Sequence, residues 1–343
     1  MCNKLNDMEP SDRPLRIAAL KSRTQFRQLI STLLLTMLPA TAAWGWGFEA
    51  HRTINRHAVF TLPPAMFNFY KYYIHFLTEH AVNPDKRRYA VVGEAPRHYI
   101  DLEYYHTCTP QAVPRQWAQA QEAYPEAMLM EHGTLPWHLI LVKHRLTKAF
   151  ERRDVVRILR LSADIGHYLA DANVPLHTTE NYNGQLTDQE GIHGLWETRI
   201  PALFTQGYDL FVGPATYVDA PQQKIWEAVE KAHQAVESIL RREKELSATF
   251  SAIRKYSYEQ HGSTLRRVYA EAYVCAYHDL LQGQVEQQMR ASIKMVGDFW
   301  YTCWVDAGQP DLTQLLGLPL DDARLKEALP TRRQLPVRCC GEH

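Results

Sequence analysis

Apolar residues recur at three- and four-residue steps along most of the chain, and no stretch alternates apolar and polar residues long enough to argue for a sheet. Pro63 and Pro64 open a segment, 65–81, in which Phe67, Tyr70, Ile74 and Leu77 fall on one helical stripe. The same periodicity predicts helices near 114–130, 136–152, 154–172, 222–245, 263–281 and 284–307, separated by short turns marked by Pro or Gly. The pattern predicts an all-α fold: one multi-helix domain over 46–310, then a polar C-terminal tail over 311–343. Two stretches, 82–113 and 173–192, lack helical periodicity yet hold His98, Asp101 and His177 beside Pro and Gly. Loops held by a rigid frame are where functional residues concentrate.

The first 45 residues break the pattern. Lys21, Arg23 and Arg27 lead into an apolar run from Leu29 to Leu38, followed by Pro39 and the small residues Ala40, Thr41, Ala42 and Ala43. Basic, apolar and small segments in that order read as a secretory signal peptide over 1–45. The apolar core, roughly ten residues, is too short to cross a hydrocarbon layer ~30 Å thick. The expectation is a secreted or periplasmic protein with no permanent membrane span, cut after Gly45 so that Trp46 comes first.

Composition narrows the chemistry. With 45% hydrophobic and 22% charged residues, the chain is neither disordered nor collagen-like nor a multi-span membrane protein. Lys+Arg and Asp+Glu are 38 each, so no charge excess points to duplex nucleic acid or an acidic membrane. Beyond the leader, Cys108, Cys275, Cys303, Cys339 and Cys340 form neither a disulfide framework nor a CxxC pair. A bound metal would have to be held by histidine and carboxylate.

Two segments have the spacing for that. His167 and Asp171 are four apart on a predicted helix, so they stack on one face, while Pro175 ends the helix and lets His177 turn back. His193 and Glu197 repeat the four-residue pairing. Nitrogen and oxygen ligands without thiolate suit zinc, and also manganese or iron. The motifs Asp85-x-x-Arg88 and His98-Tyr99-Ile100-Asp101 carry little alone, as does Trp46 with His51 just past the leader. His57, His80, His106, His132, His138 and His144 read as surface or core residues. His278-Asp279 imitates the adjacent pair of another helical metallohydrolase class, without its flanking ligands.

Taken in this order and spacing, Trp46, His51, Asp85-x-x-Arg88, His98, His167-x-x-x-Asp171, Pro175-Leu176-His177 and His193-x-x-x-Glu197 resemble the zinc-dependent phospholipase C superfamily. That superfamily includes bacterial phospholipase C and the fungal and plant single-strand-specific nucleases. The resemblance runs from Trp46 to Glu197 and implies an all-α domain around three zinc ions. One zinc would be held by Asp85, His98, His167 and Asp171. A second would take the amino nitrogen and carbonyl oxygen of Trp46 with His51 and Asp171, and a third His177, His193 and Glu197. Asp171 would bridge the first two.

The implied activity is phosphodiester hydrolysis by a metal-activated water, with Asp85 orienting the water and Arg88 pairing with a phosphate oxygen. Single-stranded nucleic acid and phospholipid head groups are both open as substrates. Tyr99, Tyr104, Tyr105, Tyr182 and Trp196 are candidates to stack an unpaired base. The expected assembly is a monomer. The alternative is a non-catalytic secreted protein that holds zinc with the same residues.

Overall fold

A computed structural model describes residues 47–108, 113–261, 264–318 and 320. The expected signal peptide, Trp46, Cys339, Cys340 and most of the expected tail lie outside the described residues. The architecture centres on α9 (Val155–Asp171), which opens on Asp154, whose carboxylate accepts from the Arg157 amide at 3.2 Å. Thirteen of its residues are buried; Arg157, Arg160, Leu161 and Asp164 form the one less buried stripe, and from Ile165 to Asp171 the helix is buried all round. It packs against α1 (Phe48–Ala58), α3 (Ile74–His80), α8 (Leu135–Glu151) and α15 (Gln284–Asp306). The helix stops at Asp171. Asn173 then bonds back to Leu169 O through its side chain, and Pro175 cannot continue the helical ladder.

Around this centre lie α2 (Pro64–Tyr72), α4 (Asn83–Arg87), α5 (Leu102–Cys108), α6 (Trp117–Ala123) and α7 (Glu126–His132). A helical run then passes through α10 (Ile192–Gly194), a π-helical turn over Leu195–Arg199 and α11 (Ile200–Phe204). Helices α12 (Pro221–Gln234), α13 (Val236–Thr249) and α14 (Glu271–Leu281) complete the set. Among the described residues no helix is long and apolar enough to cross a membrane.

The helical fold class agrees with the periodicity, and several boundaries differ. Pro125 divides the expected 114–130 helix into α6 and α7, 65–81 divides at Tyr73, and 222–245 divides at Ala235. The expected helix over 263–281 is corrected: only 271–281 is helical. Strands β1 (Tyr256–His261) and β2 (Thr264–Tyr269) pair antiparallel, with Tyr256 opposite Tyr269 and Glu259 opposite Arg266. The β-branched and aromatic residues Tyr256, Tyr258, Val268 and Tyr269 favour a pleated ribbon, and an interposed Gly262-Ser263 is a sequence signal for a two-residue hairpin. The core also passes the expected boundary at 310. Leu312 and Leu315 are buried in it, and the Tyr73 hydroxyl donates to Leu315 O at 3.1 Å.

Candidate metal centre

The last turn of α9 supplies two side chains. His167 and Asp171 lie one turn apart with Nε2 and Oδ2 separated by 3.2 Å. Helix α1 brings His51 against them: its ring stacks on that of His167 at 3.8 Å, and its Nε2 is 3.4 Å from Asp171 Oδ1. A 3-10 turn at Ala95–His98 delivers His98, whose Nδ1 is 3.0 Å from Asp171 Oδ2 and 3.1 Å from His167 Nε2. Asp85, in the first turn of α4, sets Oδ1 3.7 Å from the same two nitrogens.

Beyond Asp171 the chain turns through Pro175–His177. His177 Nε2 faces His193 Nε2 at 3.2 Å and Glu197 Oε2 at 3.4 Å, and His193 Nε2 is 2.8 Å from Glu197 Oε1. His177 Nδ1 is also 3.7 Å from Asp171 Oδ1, which makes the two halves continuous.

The backbone fixes which nitrogen of three of these rings carries the proton. His167 Nδ1 donates to Ala81 O at 2.9 Å, His177 Nδ1 to His98 O at 2.7 Å, and His193 Nδ1 to Tyr182 O at 3.0 Å. Carbonyl oxygens only accept, so each Nε2 presents a lone pair to the cluster unless the ring is cationic. Two lone pairs 3.2 Å apart, at His177 and His193, repel until a cation stands between them. Such an outer donor bond is also what orients a metal-ligating imidazole.

Burial makes the arrangement expensive without cations. His51, Asp85, His98, His167, Asp171, His177, His193 and Glu197 are at most 3% exposed. Both carboxylate oxygens of Asp85 and of Glu197, both ring nitrogens of His51, His98 Nε2 and Asp171 Oδ1 lack hydrogen-bond partners. Each such atom costs ~1–3 kcal/mol, and more where it is charged. The donor atoms gather within 4.8 Å of one another in three groups: Asp85, His98 and His167; His51, His167 and Asp171; His177, His193 and Glu197. The residues fit divalent cations, because ions would satisfy lone pairs that nothing else meets.

The protein's own charges set the protonation pattern. Burial lowers the His51 imidazole, and it outweighs the Asp171 hydrogen bond at His98, leaving that imidazole at about 4. Burial opposes protonation of His167 too, but Asp171 and Asp85 together hold it up to about 9. Burial lifts the Glu197 carboxyl to about 7. Asp171 is held well below the usual carboxylate range despite its burial, because His167 and His177 face it.

The expected ligands other than Trp46 are thus brought together. Trp46 lies outside the described residues, yet its neighbour Gly47 donates its amide to Glu197 O at 3.0 Å. Arg88, one turn after Asp85, is 2% exposed, deeper than a rim position. Three of the expected base-stacking residues are corrected: Tyr99, Tyr105 and Trp196 are buried, their polar atoms spent on Glu131 O, Gly133 O and Gln284. Tyr104 lies flat on His132 at 3.4 Å, and His132 pairs with buried Asp101 at 3.1 Å. The Asp101–His132 pair joins segments 31 residues apart, so no local spacing announced it. His278 packs on Phe204 beside an exposed Asp279 and joins no metal-ligating group among the described residues.

A layer behind the ligands went unread in the sequence as well. Arg87 forms a two-pronged pair with Asp164 at 2.9 and 3.1 Å and tethers α4 to α9. Buried Glu94 takes Arg97 at 2.7 Å and the Tyr168 hydroxyl, fixing the turn that carries His98. No protein-family model matches the chain, and no curated protein matches it significantly.

Proposed function

We propose that the chain is a zinc-dependent phosphodiesterase of phospholipase C or single-strand nuclease type, exported and monomeric. The observation that carries the reading is the set of buried carboxylate oxygens and imidazole lone pairs aimed at one another in three adjoining groups. Asp85, His98, His167 and Asp171 would hold one ion, His177, His193 and Glu197 another, and His51 with Asp171 a third, completed by an amino-terminal Trp46. Zinc held there would supply Lewis acidity, acidifying a water and polarising a phosphoryl oxygen.

The chain's own groups do the rest. Asp85, whose two oxygens are buried without hydrogen-bond partners and whose Oδ1 lies 3.7 Å from His98 and His167, would orient the attacking water toward phosphorus. Asp171 reaches both halves of the site and keeps them in register. Arg88 adds fixed positive charge on the Asp85 side, complementary to a phosphate. The Nδ1 bonds to Ala81, His98 and Tyr182 hold the imidazoles in the tautomer that leaves Nε2 basic.

Near-complete burial of the ligands favours a second reading, a protein that holds zinc without turnover. One experiment separates them. Hydrolysis of a chromogenic phosphodiester should stop with chelator and return with zinc, and metal analysis should find close to three ions. A folded protein with three ions and no turnover of nucleic acid, lipid or chromogenic substrate supports the second reading. The absence of any ion sinks both, and a single ion sinks the three-ion site.

A further inference from the structure

The loop between His177 and His193 is closed on its own polar side chains. Asn181 Oδ1 accepts from the Leu186 amide at 2.8 Å, its Nδ2 donates to the Thr187 hydroxyl at 3.0 Å, and Asn183 Oδ1 accepts from the Gly191 amide at 3.0 Å. Gly184, at φ +76°, approaches so closely that a Cβ there would fall 2.5 Å from Gln189 O. That carbonyl accepts from the Ile192 amide at 3.1 Å, where the helical turn carrying His193 begins. The loop also supplies Tyr182 O, the acceptor for His193 Nδ1. The backbone of His193 and the acceptor of its ring proton are therefore set by where Gln189 stands.

Gln189 is held from outside the loop. Its Nε2 donates to Leu240 O at 2.8 Å and to Glu243 Oε2 at 2.5 Å, both on α13. Glu243 is 1% exposed, and its Oε1 accepts from the Tyr273 hydroxyl of α14 at 2.6 Å, the Ser247 hydroxyl at 2.8 Å and Lys255 Nζ, at the root of the hairpin, at 2.9 Å. Burial opposes ionisation of Glu243, but these hydrogen bonds and that from Gln189 hold its carboxyl below the usual value. An ionised carboxylate only accepts, so it dictates which end of the Gln189 amide faces it. One buried carboxylate thus joins α13, α14 and the hairpin root to the loop that leads into His193.

We infer that Gln189 and Glu243 are positioning residues for the cation site of His177, His193 and Glu197, setting its affinity without touching the ion. The partner that orients a ligating imidazole is worth about 10- to 100-fold in metal affinity. For His193 that partner is a backbone carbonyl, so control over it passes to whatever holds the loop in place. The other two groups draw on His51, Asp85, His98, His167 and Asp171, none of them on this loop, so the effect falls on one ion. The inference rests on the metal-binding part of the proposed reading and not on hydrolysis.

The test is competition between full-length zinc-loaded protein and a chromophoric chelator. Glu243→Gln keeps an acceptor for Tyr273, Ser247 and Lys255 but turns an amide donor on Gln189, and Gln189→Met keeps the side-chain length and leaves Glu243 its other three donors. Each is expected to weaken one ion about tenfold and leave the other two unchanged. Combined they should weaken it no further, since both cut the same link, and in a Glu197→Gln background the effect should vanish. Tyr277→Phe is the control: it removes a buried bond to Ile239 O on the same helix, at 2.9 Å, and should hold zinc as wild type does.

Wild-type affinity for all three ions in the folded variants would overturn the inference. So would equal weakening of all three, or a Tyr277→Phe protein weakened as much, either of which marks lost stability rather than positioning. If Glu243→Gln does not fold, Gln189→Met decides alone. Wild-type protein that holds no ion at His177, His193 and Glu197 sinks the metal reading and this inference together. Selective weakening of one ion in a protein that hydrolyses no phosphodiester supports the inference and sinks only the enzymatic reading.

Discussion

Gly166 and Gly194 are both helical glycines beside candidate ligands, one before His167 and one after His193, and alanine should act on them with opposite sign. A Cβ on Gly166 would fall 2.1 Å from Asn55 Oδ1 and 2.9 Å from its Cγ, whereas at Gly194 nothing lies within 4 Å. Asn55 has no cheap retreat. It is fully buried and its Nδ2 donates to Leu77 O at 3.3 Å and Ala163 O at 3.2 Å, knitting α1 to α3 and α9.

Forcing it aside costs ~1–3 kcal/mol of overpacking and ~0.5–1.5 kcal/mol for each hydrogen bond broken, against ~1 kcal/mol returned by the helix preference of alanine. With both Asn55 bonds lost, the balance for Gly166→Ala is a loss of about 1–5 kcal/mol. Gly194→Ala keeps only the favourable part, a gain of ~0.5–1 kcal/mol. Because His51 sits one turn before Asn55 and stacks on His167, the Gly166 variant should also bind metal less tightly at His51, His167 and Asp171. Guanidinium denaturation and metal analysis of both variants decide the matter. A Gly166→Ala protein as stable as wild type, or a Gly194→Ala protein equally destabilised, would refute the close approach of α1 to α9.

Asp171→Asn should lose two ions and Glu197→Gln one, because Asp171 faces both the His98 and the His51 sides; equal losses by metal analysis would remove the bridging role. In chelated protein, His167 is held up to about 9, above its usual value, so its contribution is full below pH ~6.5 and is lost as pH rises through 9. Glu197, held up to about 7, acts in the same direction between its usual value and 7, where His98 and His51, lowered by burial, act oppositely, so the loss of stability of chelated protein from neutral to alkaline pH comes from His167. With zinc the slope should reverse, since ligands bind deprotonated, and parallel slopes in the two melting series would contradict this. Mass spectrometry of exported protein is expected to read Trp46 first. Two added residues before it should remove one ion by blocking a free α-amino ligand of pKa ~7.7–8.0, and full zinc content in the extended chain would dismiss that ligand.

His167 with Asp171 and His193 with Glu197 were legible because helical geometry converts a four-residue spacing into a shared face. Asp85 and His98 carried no such local signal: they come from short turns whose positions depend on tertiary contacts, among them Arg87 with Asp164 and Glu94 with Arg97. The carbonyls that fix the imidazole tautomers belong to Ala81, His98 and Tyr182, and any residue supplies a carbonyl. The hairpin was missed for a different reason. Tyr, Val and Leu at 264–274 fit a helical stripe as well as a strand, and only pairing with Tyr256–His261 decides between them. Likewise Tyr99 and Trp196 are close to ligands in sequence, but burial makes them packing residues.

The position of Asp171 links the fold to its chemistry. A helix C-terminus carries partial negative charge from its last carbonyls, and cations there are stabilising while a carboxylate is not. Asp171 is the last residue of α9, fully buried, in a final turn that holds no Lys or Arg. Surface helices avoid such a placement or leave it to water. Here the compensating charge can come only from what surrounds the carboxylate, and within 3.7 Å that is His51, His98, His167 and His177. Imidazoles answer in two ways: they take up protons, as His167 does beside Asp171 while burial resists it at His98 and His51, or they lend lone pairs to a cation that also binds the carboxylate. The second answer satisfies the helix end, the carboxylate and the rings together. On this argument the end of α9 is suited to a cation, and an ion held there would offset the cost of burying Asp171.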